Sequence, residues 1–232
     1  MEILRVRDTF IASVVHELRT PMAAMVVYAR LLQTDLEPGS ALQEYVVALN
    51  RNADRLAMLM EDVLLAARSP GNAVALRLSK NNLRIFVQRA IADCVAALPA
   101  SSQYKRTPPT LSMEAGNPEV VNVDTLRLGQ ALNNVISNAL KYALGGLILI
   151  SLRGDMEHFQ VEVRDHGPGM SDDDVRRCRI PFYRGSGAME STTGGVGLGL
   201  TIAEQMVTAH GGEMRIESRL GEGTVVTLVI PR

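Results

Sequence analysis

The chain has 232 residues, 47% of them hydrophobic and 21% charged, with a formal net charge of −1. That length supports one large domain or two small ones with real cores, and the apolar content excludes a disordered chain. A charge balance this close to neutral excludes binding to nucleic acid through bulk positive charge.

No uninterrupted apolar run is long enough to cross a bilayer and no signal peptide opens the sequence, so we expect a cytoplasmic segment without membrane contact. Cys94 and Cys178 are the two cysteines, far apart and outside any metal or redox spacing. The chain starts within a helical pattern that has no clear cap, so a further upstream portion is expected.

Two long helices come first. From Phe10 the residues Phe10, Val14, Pro21, Met25, Tyr28 and Leu32 recur at helical spacing, and Val15, Leu18 and Met22 widen the face. The run Asp35-Leu36-Glu37-Pro38-Gly39-Ser40 reads as a turn. Leu42, Leu49, Leu56 and Val63 then repeat every seven residues, with Val46, Ala53 and Met60 offset by four, an a/d seam. Two antiparallel helices cannot hide faces this wide, so we expect a symmetric homodimer closing into a four-helix bundle.

Ser69-Pro70-Gly71-Asn72 breaks the pattern and marks a domain boundary, giving domains 1–70 and 71–232. Beyond it, 74–79 alternates like a strand, 83–98 reads as a helix, and 108–114 and 120–123 supply short strands. Asp124 caps a helix running to about residue 143. Strands at 147–153 and 159–165 flank the Gly154-Asp155 turn. Ser171, with Asp174 three residues on, resembles a capping box. Residues 198–210 form a helix ended by Gly211-Gly212, and 214–218 with 224–230 make a hairpin around Gly221-Glu222-Gly223. Strands and helices mixed in this way predict an α/β two-layer sandwich.

His16 stands out on the first helix. On a wheel of about 100° per residue with Phe10 at zero, the apolar stripes span roughly 0° to 140° and His16 falls at about 240°, pointing away from the core. Glu17 follows it, Thr20 lies one turn on, and Pro21 kinks the helix by removing the bond to the carbonyl of Glu17. An imidazole with one free nitrogen is a competent nucleophile at neutral pH, and an adjacent carboxylate can hold its tautomer and accept its proton. The run Ser13-Val14-Val15-His16-Glu17-Leu18-Arg19-Thr20-Pro21 resembles the H-box of the sensor histidine kinases of two-component systems. The resemblance implies that His16 is the phospho-acceptor and Glu17 the assisting base. It implies too that Thr20 helps orient water when the bundle dephosphorylates a response regulator.

Asn134, Asn138, Lys141 and Tyr142 fall on one face of the Asp124 helix, apart from its apolar face of Leu128, Ala131, Leu132, Val135 and Ala139. An Asn oxygen suits a hard cation such as Mg²⁺, Lys141 a phosphate, and Tyr142 the edge of a base. Asp165-His166-Gly167-Pro168-Gly169 ends a strand; its carboxylate can accept from an exocyclic amine, although taken alone a plain glycine turn is the simpler reading. Gly194-Gly195-Val196-Gly197-Leu198-Gly199-Leu200 opens a helix and offers amides to phosphate, by itself a weak signal. Between them, 184–193 reads as a lid. Arg176, Arg177 and Arg179 read as an ordinary solvated face, and His158, His166 and His210 as surface or turn residues.

In this order the segments resemble the N, glycine and F boxes of the histidine kinase ATP-binding domain. The matches run through Asn134 to Tyr142, Asp165 with Gly167 and Gly169, Phe182 with Arg184, Gly195 to Gly199, and Gly221 to Thr224. The resemblance implies the Bergerat fold, ATP and Mg²⁺ as cofactors, Asn138 as the metal ligand, and Asp165 on the adenine amine. Phosphates would fall to Lys141 and to Gly197, Leu198, Gly199 and Leu200. It also implies delivery of the phosphoryl group to the receiver domain of a response regulator. The nucleotide boxes alone would equally fit an ATPase of the gyrase and chaperone class, and the exposed His16 argues against that.

Overall fold

In the computed structural model the chain divides into two compact units, Met1–Asn72 and Ala73–Arg232. The structure describes residues 22, 23, 25–27, 29, 30, 32, 46, 49, 53, 56 and 60 of the first unit, and 75–98, 101–113, 119–143, 145–181, 183–185 and 197–232 of the second. His16, Glu17, Thr20, the turn at 35–40 and the expected boundary segment at 69–72 lie outside the described residues.

Every described residue of the first unit is helical. On each helical stretch the apolar residues separate into two columns. Met22 and Ala29, and further on Val46, Ala53 and Met60, are buried. Met25 and Leu32, at 48% and 55% exposure, and Leu49 and Leu56, at 50% and 41%, are not. One column of each seven-residue repeat is therefore buried and the other exposed, the pattern of a helix with partners on two sides.

The second unit is a two-layer sandwich with a mixed sheet. A two-stranded ribbon pairs β1 (Ser79–Asn82) antiparallel with β3 (Val120–Val123). Asn82 ends β1 and starts α1 (Leu83–Ala96), its side-chain oxygen accepting from the Ile85 amide at 3.0 Å. The strand expected at 74–79 thus begins only at Ser79. Upstream, the Arg77 amide donates to Asp124 Oδ2 at 2.7 Å, a cap bond in place of a ladder bond. β2 (Thr110–Met113) runs parallel to β4 (Ile148–Gly154), and β5 (His158–Asp165), β7 (Gly223–Pro231) and β6 (Glu213–Arg219) continue the sheet antiparallel in the order β2-β4-β5-β7-β6. Over one face lie α2 (Thr125–Tyr142) and α4 (Gly199–Ala209), and a short α3 (Asp172–Arg177) leads between them.

The core follows from periodicity. Phe159, Val161 and Val163 of β5 alternate inward with Ile148, Ile150 and Leu152 of β4, and meet Leu128, Leu132, Val135 and Ile136 of α2 and Ile202 and Met206 of α4, all buried. Each such side chain contributes about 1.5–3 kcal/mol relative to exposure. Asp124 caps α2, its Oδ1 accepting from the amides of Leu126 and Arg127 at 3.0 Å each. Burial opposes the charge, but those amides and that of Arg77 together hold the Asp124 carboxyl below its ordinary value.

His210, expected as a surface or turn residue, is instead a strut. Its Nε2 accepts from the Asp124 amide at 3.1 Å, and its Nδ1 lies 2.7 Å from the Met206 carbonyl. The arrangement requires a neutral ring with its proton on Nδ1. It ties the end of α4 to the start of α2. No described helix is long and apolar enough to cross a membrane.

Candidate functional site

The inward alternation of β5 does not stop at Val163. Asp165 is the next residue on that face and only 9% exposed, so the pleat that builds the core also delivers a carboxylate to the helical layer. Its Oδ1 accepts from the Gly167 amide at 2.8 Å, and the amide of Thr224, its cross-strand partner on β7, adds to the stabilisation of the same carboxylate. Burial pushes the Asp165 carboxyl above its ordinary value, against those two amides and the nearby His166. A buried acceptor with capacity left for one more donor can read an amine.

The loop after Asp165 is packed on glycine. A Cβ on Gly167 would lie 2.6 Å from the Tyr142 carbonyl oxygen and 2.9 Å from Asp165 Oδ1, so the end of α2 rests on this turn. At Gly169, with φ +69°, a Cβ would overlap the Arg219 carbonyl. The β6–β7 hairpin buttresses the loop. The Met170 amide donates to Ser218 Oγ at 2.9 Å, Ser218 Oγ in turn lies 2.9 Å from Thr224 Oγ1, and the Gly221 amide donates to the Pro168 carbonyl at 2.7 Å. On the other side Tyr104, buried on the α1–β2 connection, donates to the Gly146 carbonyl at 3.0 Å, and His166 Nδ1 lies 3.1 Å from the Leu147 carbonyl. Tyr104 carries no local motif, and sequence reasoning missed it.

Asn134 and Asn138 meet the start of α4. A Cβ on Gly199 would sit 3.3 Å from Asn134 Oδ1 and 3.7 Å from Asn138 Nδ2, so the two amides line the approach to the helix. Gly197 turns the chain at φ +78°, Leu198 is buried at the N-cap position, and among the described residues no side chain caps the helix. The first amides of α4, through Gly199 and Leu200, are thus left to an anion. Lys141 and Tyr142 are half-buried on the same helix as the asparagines. The Lys141 charge also acts on Cys94 of α1, whose thiol burial pushes up to about 11, an inert value. The expected sharing of one face by Asn134, Asn138, Lys141 and Tyr142 brings the two asparagines to α4 and the last residue to the glycine turn.

The donor set fits one kind of metal ion. Among the described residues no group of three His, Cys, Asp or Glu could enclose a cation. An amide oxygen such as that of Asn138, beside helix-start amides able to take phosphate oxygens, suits Mg²⁺, which keeps most of its waters.

The segment before the expected lid is held from two sides. Ser171 accepts from the Asp174 amide at 3.1 Å and donates to Asp174 Oδ2 at 2.7 Å, so the shorter carboxylate bonds the cap hydroxyl where a capping-box Glu would reach the cap amide. Asp174, buried, also accepts from the Tyr183 hydroxyl at 2.7 Å. Arg176 and Arg177 pair with Asp173 at 3.4 Å and serve as surface charges. Arg184 is half-buried beside Tyr183, while Phe182 and Gly195 lie outside the described residues.

Comparison with known proteins places this geometry. Residues 6–72 match the His Kinase A (phospho-acceptor) domain, and residues 123–232 match the histidine kinase-, DNA gyrase B- and HSP90-like ATPase. The sensor histidine kinase GacS of Pseudomonas protegens is 28% identical over 100% of this chain and 26% of its own length. The sensor-like histidine kinase SenX3 of Mycobacterium tuberculosis is 31% identical over 97% of this chain and 54% of its own. The crystal structure of full-length ShkA in complex with AMPPNP aligns at TM-score 0.71 and 26% identity, over 96% of this chain and 45% of that one. The chain spans about a quarter of GacS and about half of SenX3. With a phospho-acceptor domain followed by that ATPase domain, and relatives of this kind along its whole length, the chain belongs to the sensor histidine kinases and carries their two-domain core.

Proposed function

We propose that this core binds ATP with Mg²⁺ in its second unit, phosphorylates His16, and passes the phosphoryl group to an aspartate on the receiver domain of a response regulator. The observation that carries the reading is the convergence of a buried acceptor, Asp165, two amides, Asn134 and Asn138, and an uncapped glycine helix start on one side of one sandwich. Asp165 accepts from the adenine amine, with Gly167 and Gly169 keeping the backbone low enough for the base to approach. Tyr142 edges the base, and Thr224 sets the carboxylate. Lys141, Gly195, Gly197, Leu198, Gly199, Leu200 and Arg184 serve the phosphates, with Phe182 leading into the lid. Asn138 holds the metal ion, which when bound neutralises charge on the phosphates.

The transfer asks for positioning more than covalent chemistry. An imidazole nitrogen of His16 forms a bond to the γ-phosphorus as the bond from that phosphorus to the ADP oxygen breaks. The proton on the other ring nitrogen passes to Glu17. The functional boundary falls at residues 70/71, and the nucleotide-bearing unit reaches His16 of its own or a partner chain. The open columns through Met25, Leu32, Leu49 and Leu56 support a homodimer closed through the helices. Thr20 is the residue through which the same helices would dephosphorylate the regulator.

Incubation with γ-labelled ATP and Mg²⁺ tests the proposal. We expect acid-labile, base-stable label on the wild-type chain and none on His16→Ala, which still binds nucleotide. Undiminished label on His16→Ala refutes the assignment, and hydrolysis of ATP with no protein-bound label at all points to an ATPase instead.

A further inference from the structure

Arg179 lies between α3 and the segment that carries Arg184, and it is tied in three directions. Its Nη1 donates to Glu204 Oε1 on α4 at 3.1 Å, its Nη2 donates to the Met214 carbonyl on β6 at 3.1 Å, and its own carbonyl accepts from the buried Thr201 hydroxyl of α4 at 2.8 Å. Two of these partners stand on the helix whose first turn opens toward an anion.

The rest of the segment folds onto Asp174. Tyr183 and Ser171 donate to its two oxygens, each at 2.7 Å. Arg177 covers the Tyr183 ring at 4.4 Å, and a Cβ on Gly185 would lie 2.8 Å from Asp174 Oδ1. Residues 171–181 and 183–185 are thereby gathered around one buried carboxylate, with Arg184 between two residues that rest on it. α3 has six residues, too few to hold its own orientation. What orients the piece against α4, together with the Thr201 hydroxyl on the Arg179 carbonyl, is the Arg179 side chain, whose planar fork engages a carboxylate and a carbonyl on two different elements.

We propose that Arg179, through Glu204, is a positioning residue for the nucleotide site: it fixes Arg184 relative to the first turn of α4, so that the arginine and the helix amides address the phosphates as one rigid unit. The inference rests on the nucleotide reading above. The pair carries opposite charges 25 residues apart in sequence, so each can be reversed without touching a residue of the site itself.

The test is autophosphorylation kinetics on the whole chain, with thermal unfolding alongside. Wild-type protein that neither binds nor uses ATP fails the nucleotide reading, a result separate from all those that follow. Arg179→Glu should raise KM for ATP about three- to fivefold with little change in kcat, the size expected for loss of a half-exposed ion pair. Arg179→Glu/Glu204→Arg should recover most of it. In an Arg184→Ala background the Arg179→Glu change should add nothing further, a non-additivity that a purely structural role would not give. A folded Arg179→Glu protein with the wild-type KM overturns the proposal, as does absence of recovery in the double reversal or full additivity with Arg184→Ala. If Arg179→Glu does not fold, Glu204→Arg, which leaves the Met214 bond in place, must show the same rise in KM, and a wild-type value there overturns it equally.

Discussion

Replacing Asp165 by Asn isolates the carboxylate while keeping its shape. Asn retains one oxygen for the Gly167 amide, 2.8 Å away, but sets an NH₂ where the second carboxylate oxygen stood. That group faces a donor in either rotamer, the incoming adenine amine or, with the amide flipped, the Gly167 amide. Loss of a hydrogen bond to a charged acceptor is worth about 1.5–3 kcal/mol, or about ten- to a hundredfold in Kd for nucleotide. Fold stability should change far less, because the neutral amide escapes the burial that pushes the carboxyl above its ordinary value of 3.8. The assay is calorimetric titration with Mg²⁺ and ADP, with thermal unfolding as the control.

The pH dependence follows in sign. The ionised carboxylate accepts from the amine much more strongly than the neutral acid, and its folded pKa is raised. Wild-type affinity should therefore fall, as pH is lowered, in a window above 3.8, and Asp165→Asn should show no such step. Comparing the two proteins at each pH cancels the titration of the nucleotide's own phosphates. A folded Asn variant that binds within about twofold of wild type refutes the reasoning, since a charged bond of the stated size cannot be that small.

Asp124→Ala removes the acceptor for two amides at the start of α2 and for that of Arg77, and should cost about 1–2 kcal/mol, lowering the midpoint of unfolding by about 2–8 °C. The Asp124 carboxyl is held below its ordinary value in the fold, so this contribution is present above 3.8 and lost as pH falls through the folded value; melts at pH 7 and in acid should converge. Gly223→Ala should destabilise by about 1–3 kcal/mol in a denaturant titration, since φ is +97° and the new Cβ would lie 2.1 Å from the Asp165 carbonyl oxygen; an unchanged midpoint counts against the packing described. Asn138→Ala should abolish Mg-dependent autophosphorylation while the circular dichroism spectrum is kept, and retained activity would show that the metal ligand is another residue.

Features set by a short repeat were legible in the sequence. The period of α2, its Asp124 cap and the alternation of β5 each follow from neighbours within a few residues, and the structure puts Asp165, Asn134 and Asn138 where those periods lead. The short edge strands were less so: β1 starts only at Ser79, because whether the Arg77 amide joins a ladder or a cap is decided by Asp124, 47 residues away. Long separations in sequence likewise hid His210, Tyr104 and Arg179. Each makes its defining bond to an element fixed only when the sheet order is known, and a lone His, Tyr or Arg has no period to betray it.

α2 turns its apolar side chains to the sheet and Asn134 and Asn138 to α4, so the two sets share a single rotational setting. A side-chain tip stands about 5–6 Å from a helix axis, and a roll of about 20° sweeps it through about 2 Å. Hydrogen-bond distances tolerate about 0.5 Å. A change of volume beneath Leu132 or Val135 is therefore felt as a mis-aimed asparagine before it is felt as unfolding. Defects in handling nucleotide should then arise from alleles deep in the hydrophobic interior, and a second interior change that restores the roll should cure them.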